Sequence, residues 1–158
     1  MSARAPSAVK LYTPQILGLA ASLALYPLDD RFQLRAEARS PVCGSALTIG
    51  LDLDAQGKVS RVGVQLTACA IGQASAAILA SAISGAPRAR IEGARAALEQ
   101  WLQGAGDLPD WPGILALEPA RAHPGRHGAL LLPWRAASLA LSAGDDAGER
   151  LSSSLPSR

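Results

Sequence analysis

The sequence predicts a single α+β domain in which a three-stranded antiparallel β-meander carries helices on one face. Residues 32–39 and 46–54 alternate apolar and polar side chains, as half-buried strands do, and residues 59–66 contain several β-branched side chains, which favour a third strand. Short turns join these three segments, and apolar residues recur at helical spacing before and after them. Consecutive strands with helices gathered outside them are typical of a two-layer α+β sandwich.

The first helix is predicted to begin at Thr13. A hydroxyl N-cap followed directly by Pro14 is a common start, because proline fits the first helical position. Pro27 is expected to end the helix. Its apolar face is formed by Ile16, Leu17, Leu19, Ala20 and Leu23.

Four helical segments are predicted after the strands. An alanine-rich helix begins at Cys69 and ends near Gly85, and an amphipathic helix covers residues 90–104. Asp110 is expected to cap a short helical turn, and the last helix ends the domain at residue 141. Residues 142–158 are rich in serine, glycine, aspartate and arginine, and we expect them to be disordered.

Composition excludes several functional classes. The chain has 158 residues and a net charge of +2, and its arginines are scattered. It therefore has neither the basic stripe nor the aromatic platform of a nucleic-acid-binding protein. The N-terminus lacks the apolar core of a signal peptide, and the apolar run 16–25 is too short to span a membrane. We expect a cytoplasmic protein that does not bind membranes.

The chain has two cysteines, each at a point where the backbone changes character. Cys43 lies in the turn Pro41-Val42-Cys43-Gly44, and Cys69 begins the alanine-rich helix. Helix N-termini favour anions such as a thiolate, and a meander can bring both cysteines to one end of the sheet. Cytosolic thiols stay reduced, so the pattern indicates metal or sulfur chemistry. The alternative is two small buried apolar side chains.

The segment from Arg39 to Ala80 resembles the U-type iron–sulfur cluster assembly scaffolds, the IscU, SufU and NifU N-terminal group. The motifs that carry the resemblance are Pro41–Gly44 and Cys69–Ser75. The opening "LYTPQILGLA" resembles the first helix of the family, and "HPGRHGALLLPWRAASLAL" resembles a late segment of the SufU-like branch. The resemblance extends over residues 10–141 and implies the same two-layer fold.

The family resemblance implies three cysteines and an aspartate as ligands of an iron–sulfur cluster or a zinc ion. Cys43 and Cys69 match two of these ligands. Ser45 occupies the aspartate position, and Ala129 the position of the third cysteine. Zinc sites usually use four protein ligands, so the sequence leaves open how this site would be completed.

Two residues near Ala129 are candidates for the incomplete site. His127 lies two residues before it, and its imidazole could supply a nitrogen ligand; the alternative is an exposed loop histidine. Arg126 matches an arginine of the family segment and could pair with a thiolate or a carboxylate. The alternative for Arg126 is a solvated surface arginine.

The leading hypothesis is a scaffold-like carrier of iron, a cluster or sulfur on Cys43 and Cys69, and not an enzyme. His127, a small thiol or a second copy of the chain in a homodimer would complete a loosely bound cluster. Zinc is the alternative metal, and sulfur transferase activity is a minor alternative. The resemblance implies a cysteine desulfurase and other assembly proteins as partners. The competing hypothesis is a degenerate, metal-free member that binds or regulates a desulfurase.

Overall fold

The computed structural model describes residues 11–42 and 44–153, and these form the predicted α+β sandwich. Three 3₁₀-helices in this part of the chain, Leu23–Leu25, Ile114–Ala122 and Pro124–Arg126, supplement the main elements. The main elements in chain order are α1 (Pro14–Ser22), β1 (Leu34–Arg39), β2 (Ala46–Leu53), β3 (Val59–Thr67), α2 (Ala70–Ala82), α3 (Arg88–Leu102) and α4 (His127–Ser153).

The three strands form one antiparallel sheet in the order β1-β2-β3, as a meander requires. At one end of the sheet, Ala46 of β2 pairs with Arg39 of β1 and with Thr67 of β3. The three strands are therefore level at this end. The loop between β1 and β2 and the exit from β3 into α2 consequently lie side by side.

The first helix begins as the sequence predicts. The Oγ1 of Thr13 accepts a hydrogen bond of 3.1 Å from the backbone N–H of Ile16, and Pro14 is the first helical residue. The α-helix ends at Ser22 and tightens into the 3₁₀-helix Leu23–Leu25 before Pro27. The proline therefore follows the helical segment, as expected.

The core lies between the sheet and the helices. Leu47, Ile49 and Leu51 point from β2 into it and are almost completely buried, which confirms their alternation as a strand signal. Helix α4 packs across β1 and β2, and α2 packs against α1 and α4. Many of the buried helical residues are alanines, so the helices approach closely around the fully buried Trp134.

The segment before the long 3₁₀-helix differs from the prediction. Asp110 does not begin a helical turn; the 3₁₀-helix starts at Ile114, after Gly113 in the left-handed region at φ 83°. The buried Trp111 explains why the helix begins later than predicted, because contacts with distant residues of the chain fix the position of its side chain. Its indole N–H donates a 2.9 Å hydrogen bond to the carbonyl of Ile78. Its ring lies edge-on to Trp134, with the centroids 5.0 Å apart.

On the other face of the sheet, the ring of Phe32 lies against two glycines paired across the strands. Gly50 pairs with Gly63, and a Cβ atom at either position would overlap Phe32. Arg61 then lies over this ring, with its guanidinium carbon 3.8 Å from the ring centroid. Glycine is thus needed at both positions for close approach.

Helix α4 continues beyond the domain boundary at residue 141 that the composition predicts. The structure extends this helix to Ser153, and residues 154–158 lie outside the described part of the chain. The side chain of Leu34 in β1 lies so close to Gly144 that a Cβ there would come within 2.9 Å of it. The helix therefore still contacts the sheet at residue 144. Over the described residues, no helix combines the length and the apolarity needed to cross a membrane.

Candidate functional site

A pocket of about 220 Å³ opens at the end of the sheet where the three strands are level. Three segments of the chain surround it: the loop after β1, the junction of β3 with α2, and the approach to α4. The residues that line it are Gly44, Ser45, Thr67, Ala68, Cys69, Gly125, Arg126 and Ala129. The meander thus places Gly44 and Ser45, the two residues that follow Cys43 in the chain, beside Cys69.

Cys69 lies at the N-cap of α2, one residue before the first helical position, with φ −67° and ψ 170°. It is half-buried, and its thiol forms no capping hydrogen bond and no disulfide. The side-chain amide of Gln73 donates a 3.0 Å hydrogen bond to the carbonyl of Ala68, which holds the helix start in place. The sulfur atom of Cys69 is therefore not used for a capping bond or a disulfide at the helix start.

The loop between β1 and β2 closes on itself through two backbone hydrogen bonds. The N–H of Ser40 donates to the carbonyl of Ser45 at 2.9 Å, and the N–H of Gly44 donates to the carbonyl of Ser40 at 3.0 Å. Gly44 has a φ of 70°, which a residue with a side chain rarely adopts. Cys43, the other predicted site residue, lies outside the described residues.

The third wall of the pocket comes from the start of α4. A Cβ atom at Gly72 of α2 would lie 3.3 Å from the Cβ of Ala129, so the two helices nearly touch here. A Cβ at Gly128 would overlap the hydroxyl of Ser40. Small residues therefore let α4 approach both the loop and the start of α2, and this approach forms the pocket.

The two positions at which the predicted family ligands are missing both line this pocket. Ser45 and Ala129 are buried beside Cys69, with exposed fractions of 6% and 1%. Neither side chain offers a carboxylate or a thiolate. In the part of the chain that the structure describes, no three His, Cys, Asp or Glu side chains come together as a metal-binding group.

The two histidines occupy different places. The Nε2 of His127 lies 2.9 Å from the carbonyl oxygen of Arg121, and His127 does not line the pocket that contains Cys69. If this nitrogen donates, Nδ1 carries the lone pair that a metal could use. His123 lines an adjoining pocket of about 480 Å³, next to Tyr12 and Pro124. The role of His127 as a ligand stays a prediction.

Arg126 borders both pockets and is half-buried. Its guanidinium forms no hydrogen bond or ion pair with the residues described here, whereas Arg95 pairs with Glu99 at 3.2 Å. The backbone N–H of Arg126 donates a 2.9 Å hydrogen bond to the carbonyl of His123. Arg126 thus brings an uncompensated positive charge to the pocket beside Cys69.

The carboxyl groups with clearly shifted pKa values lie on the other face of the sheet. Hydrogen bonds from the Arg61 side chain, and then from the backbone N–H of Arg31, lower the pKa of Asp29 below its ordinary value. The pKa of Asp52 is lowered first by the backbone N–H of Gln33 and then by Arg61. These two aspartates form a structural ion-pair group with Arg61 and do not line the pocket.

Three lining residues were not predicted from the sequence. Thr67 and Ala68 line the pocket because β3 ends level with the loop after β1, and this follows from the strand register. Gly125 belongs to the 3₁₀-turn Pro124–Arg126 that leads into α4. The Pro-Gly pair is a turn signal that could have indicated this wall.

The chain matches no protein-family model, and a search of curated proteins also gives no match. Its fold is similar to that of solved structures. One is the N-terminal part of a nitrogen-fixing NifU-like protein from Brucella abortus, with a TM-score of 0.82 and 26% sequence identity. That alignment covers 89% of this chain and 98% of the other.

A second similar structure is a putative iron–sulfur cluster assembly scaffold protein for the SUF system from the thermophile Fervidobacterium islandicum. Its TM-score is 0.74 at 21% identity, and the alignment covers 83% of this chain and 96% of that protein. Both solved structures are aligned over nearly their whole length. The similarity therefore extends over the sheet and its helices together.

Proposed function

We propose that this chain, a U-type iron–sulfur scaffold-like protein by fold and by sequence motif, carries iron, a cluster or sulfur on Cys43 and Cys69. The observation that supports this most directly is the pocket in which Cys69 meets Gly44, the chain neighbour of Cys43. The proposed partners are a cysteine desulfurase and other assembly proteins. The reducing cytoplasm is the proposed compartment, because both thiols must stay reduced there.

The protein would bind its cargo through sulfur rather than catalyse a reaction. Cys69 is half-buried at the rim of a pocket, and no capping bond ties up its thiol. A thiolate at this position can attack the terminal sulfur of a persulfide on the desulfurase. A new S–S bond then forms on Cys69 while the S–S bond of the partner breaks, and the partner's cysteine leaves as a thiolate.

The residues present do not complete a metal site by themselves. Zinc and cluster irons prefer four ligands, and this chain offers two thiols, since Ser45 and Ala129 replace the other two expected ligands. A bound metal or cluster would need His127, a small thiol or a second copy of the chain. For His127 the ligand atom would be Nδ1 if Nε2 keeps its hydrogen bond to Arg121.

Anaerobic reconstitution with ferrous iron and sulfide tests whether the chain carries a cluster. We expect the charge-transfer absorption of a cluster in the wild type and its loss in Cys43→Ser and Cys69→Ser. His127→Ala should weaken the absorption if the imidazole is a ligand, and His123→Ala is the matched control because His123 lines the adjoining pocket. Absorption that survives in both cysteine variants would refute the assignment.

Sulfur transfer to the two cysteines can be measured separately from cluster binding. After incubation with a cysteine desulfurase and cysteine, trypsin would release the two thiols on separate peptides, because it cleaves after Arg39, Lys58, Arg61 and Arg88. Mass spectrometry then reports one added sulfur atom on each peptide separately. We expect the addition on the Cys69 peptide, and its absence from both peptides would exclude sulfur transfer.

A second candidate function is supported by the side chains of Ser45 and Ala129, which leave the pocket without two of the expected ligands. The chain would then be a metal-free relative that binds or regulates a desulfurase. A Cys43→Ser, Cys69→Ser double variant separates the two functions. If it still binds the desulfurase and changes its rate as the wild type does, the regulatory function is supported and the carrier function is not.

A further inference from the structure

We infer that Arg126 binds the terminal sulfur of a persulfide on Cys69, the anionic product of the sulfur transfer proposed above. The inference rests on the proposed function. It narrows the proposed cargo of the pocket from iron, a cluster or sulfur to sulfur alone. It also assigns Arg126 a role in binding the cargo, whereas the thiol only forms the covalent bond.

The position of Arg126 supports this role. It lines the same 220 Å³ pocket as Cys69, and it also lines the adjoining pocket of about 480 Å³. Arg126 is the last residue of the 3₁₀-turn Pro124–Arg126. Its backbone N–H donates a 2.9 Å hydrogen bond to the carbonyl of His123. The arginine is therefore held at the pocket by the turn before α4, while its guanidinium remains available.

The charge balance of the pocket favours an anion over a metal cation. Among its described lining residues, Arg126 carries a full positive charge and none is an aspartate or glutamate. By contrast, Arg61 on the other sheet face forms ion pairs of 2.8 and 2.7 Å with Asp29 and Asp52. An unneutralised guanidinium in a recessed site repels a cation and attracts an anion.

The chemistry of the guanidinium suits the product of sulfur transfer. When the Cys69 thiolate attacks the terminal sulfur of a donor persulfide, the donor leaves as a thiolate and Cys69 becomes the persulfide. The terminal sulfur of that persulfide is an exposed anion once its proton is lost. Arginine presents several N–H donors in a fixed fork, which suits a bulky anion better than the single ammonium of lysine does.

The local charge is measured by comparing two alkylating reagents on the same thiol. Iodoacetate is anionic and iodoacetamide is neutral, so the ratio of their rates at Cys69 reports the local potential and cancels the thiolate fraction. We expect this ratio to fall about fivefold in Arg126→Gln, the effect of one unit charge at close range in water. Tryptic peptides keep Cys69 separate from Cys43 in the measurement.

Two control variants and one control condition define the outcome. Arg126→Lys keeps the charge and should keep the ratio, and so should Arg121→Gln, because Arg121 lies over Trp101 outside the pocket. Raising the salt concentration should lower the wild-type ratio towards the Arg126→Gln value, a result that needs no variant to fold. An unchanged ratio in Arg126→Gln, or a wild-type ratio independent of salt, would overturn the role of Arg126.

A second arm uses glutathione persulfide as the sulfur donor. We expect the Cys69 persulfide to form in the wild type and to decay several times faster in Arg126→Gln. If the alkylation ratio depends on Arg126 but no persulfide ever forms, the charge assignment stands and sulfur carriage fails. If persulfide forms and is equally long-lived in both proteins, sulfur carriage stands and the inference on Arg126 fails.

Discussion

The indole N–H of Trp134 in α4 donates a 2.9 Å hydrogen bond to the hydroxyl oxygen of Ser75 in α2. The same hydroxyl donates a 2.6 Å hydrogen bond to the carbonyl of Leu130. All of these atoms are buried, so this bridge fixes α2 and α4 relative to each other. Because Cys69 is the residue before the first turn of α2 and Ala129 lies in the first turn of α4, the bridge also sets the width of the pocket.

We expect Ser75→Ala to lower the free energy of unfolding by about 1–3 kcal/mol, because it leaves the indole N–H of Trp134 buried without its partner. Urea denaturation followed by tryptophan fluorescence measures the change. Ser81→Ala is the matched control, since Ser81 is exposed in the same helix and bonds only to the carbonyl of Ile78 in its own helix. Equal losses in the two variants would argue against the bridge.

Two glycine-to-alanine substitutions should change stability in opposite directions. A Cβ at Gly72 would lie 2.8 Å from the Cβ of Ala68 and would crowd Ala129, and overpacking of this kind costs about 1–3 kcal/mol. A Cβ at Gly93 meets no described atom within 4 Å, so Gly93→Ala should stabilise the exposed face of α3 by about 0.5–1 kcal/mol. Thermal denaturation of both variants checks the signs. Stabilisation by Gly72→Ala would mean that α2 and α4 are not in close contact.

The ion pairs of Arg61 should make stability depend on acid pH. The pKa values of Asp29 and Asp52 are lowered in the folded state from the ordinary 3.8, so their stabilisation is fully present above that pH. It is lost as the pH falls through the lowered values. We therefore expect Arg61→Gln to be less stable than the wild type at pH 7, and the difference to shrink as the pH is lowered below 3.8.

Urea midpoints measured for both proteins across this range test the prediction. The contact of Arg61 with the ring of Phe32 does not titrate, so its contribution should remain at low pH. A difference that stays constant from pH 7 to the acid end would assign the whole effect to this ring contact and none to the carboxylates.

Adding the two ligands that the family resemblance implies should create a metal site. Ser45 and Ala129 line the pocket with Cys69, so Ser45→Asp with Ala129→Cys would add a carboxylate and a thiol there. We expect the double variant to retain about one zinc ion per chain through gel filtration, and the wild type much less. Metal analysis measures the zinc retained per chain. The single variant Ala129→Cys, which adds only the thiol, is the intermediate between the wild type and the double variant.

Two results would count against this prediction. If the double variant is folded by circular dichroism but retains no more zinc than the wild type, the two positions do not face a common metal site. If zinc is gained equally by Gly128→Cys, the position next to Ala129, the correspondence of Ala129 with the third cysteine is wrong.

The strands and the first helix could be predicted because their signals are local. The alternation of Leu47, Ile49 and Leu51 identifies β2, and the Thr13-Pro14 pair identifies the start of α1. Cys69 was predicted at a helix start and lies at the N-cap of α2. The start of the 3₁₀-helix after Gly113 could not be predicted, because Trp111 is fixed by Ile78, which is distant along the chain.

The sequence by itself determined the order of the elements and the two cysteine motifs, since side-chain periodicity, capping and turn residues act over a few neighbouring positions. Only the tertiary structure decided which side chains share the pocket. The level ends of the strands and the contact between Gly72 and Ala129 bring Arg126 to Cys69, and His127 instead bonds to the carbonyl of Arg121. Such encounters depend on packing between distant segments, which no local pattern in the sequence encodes.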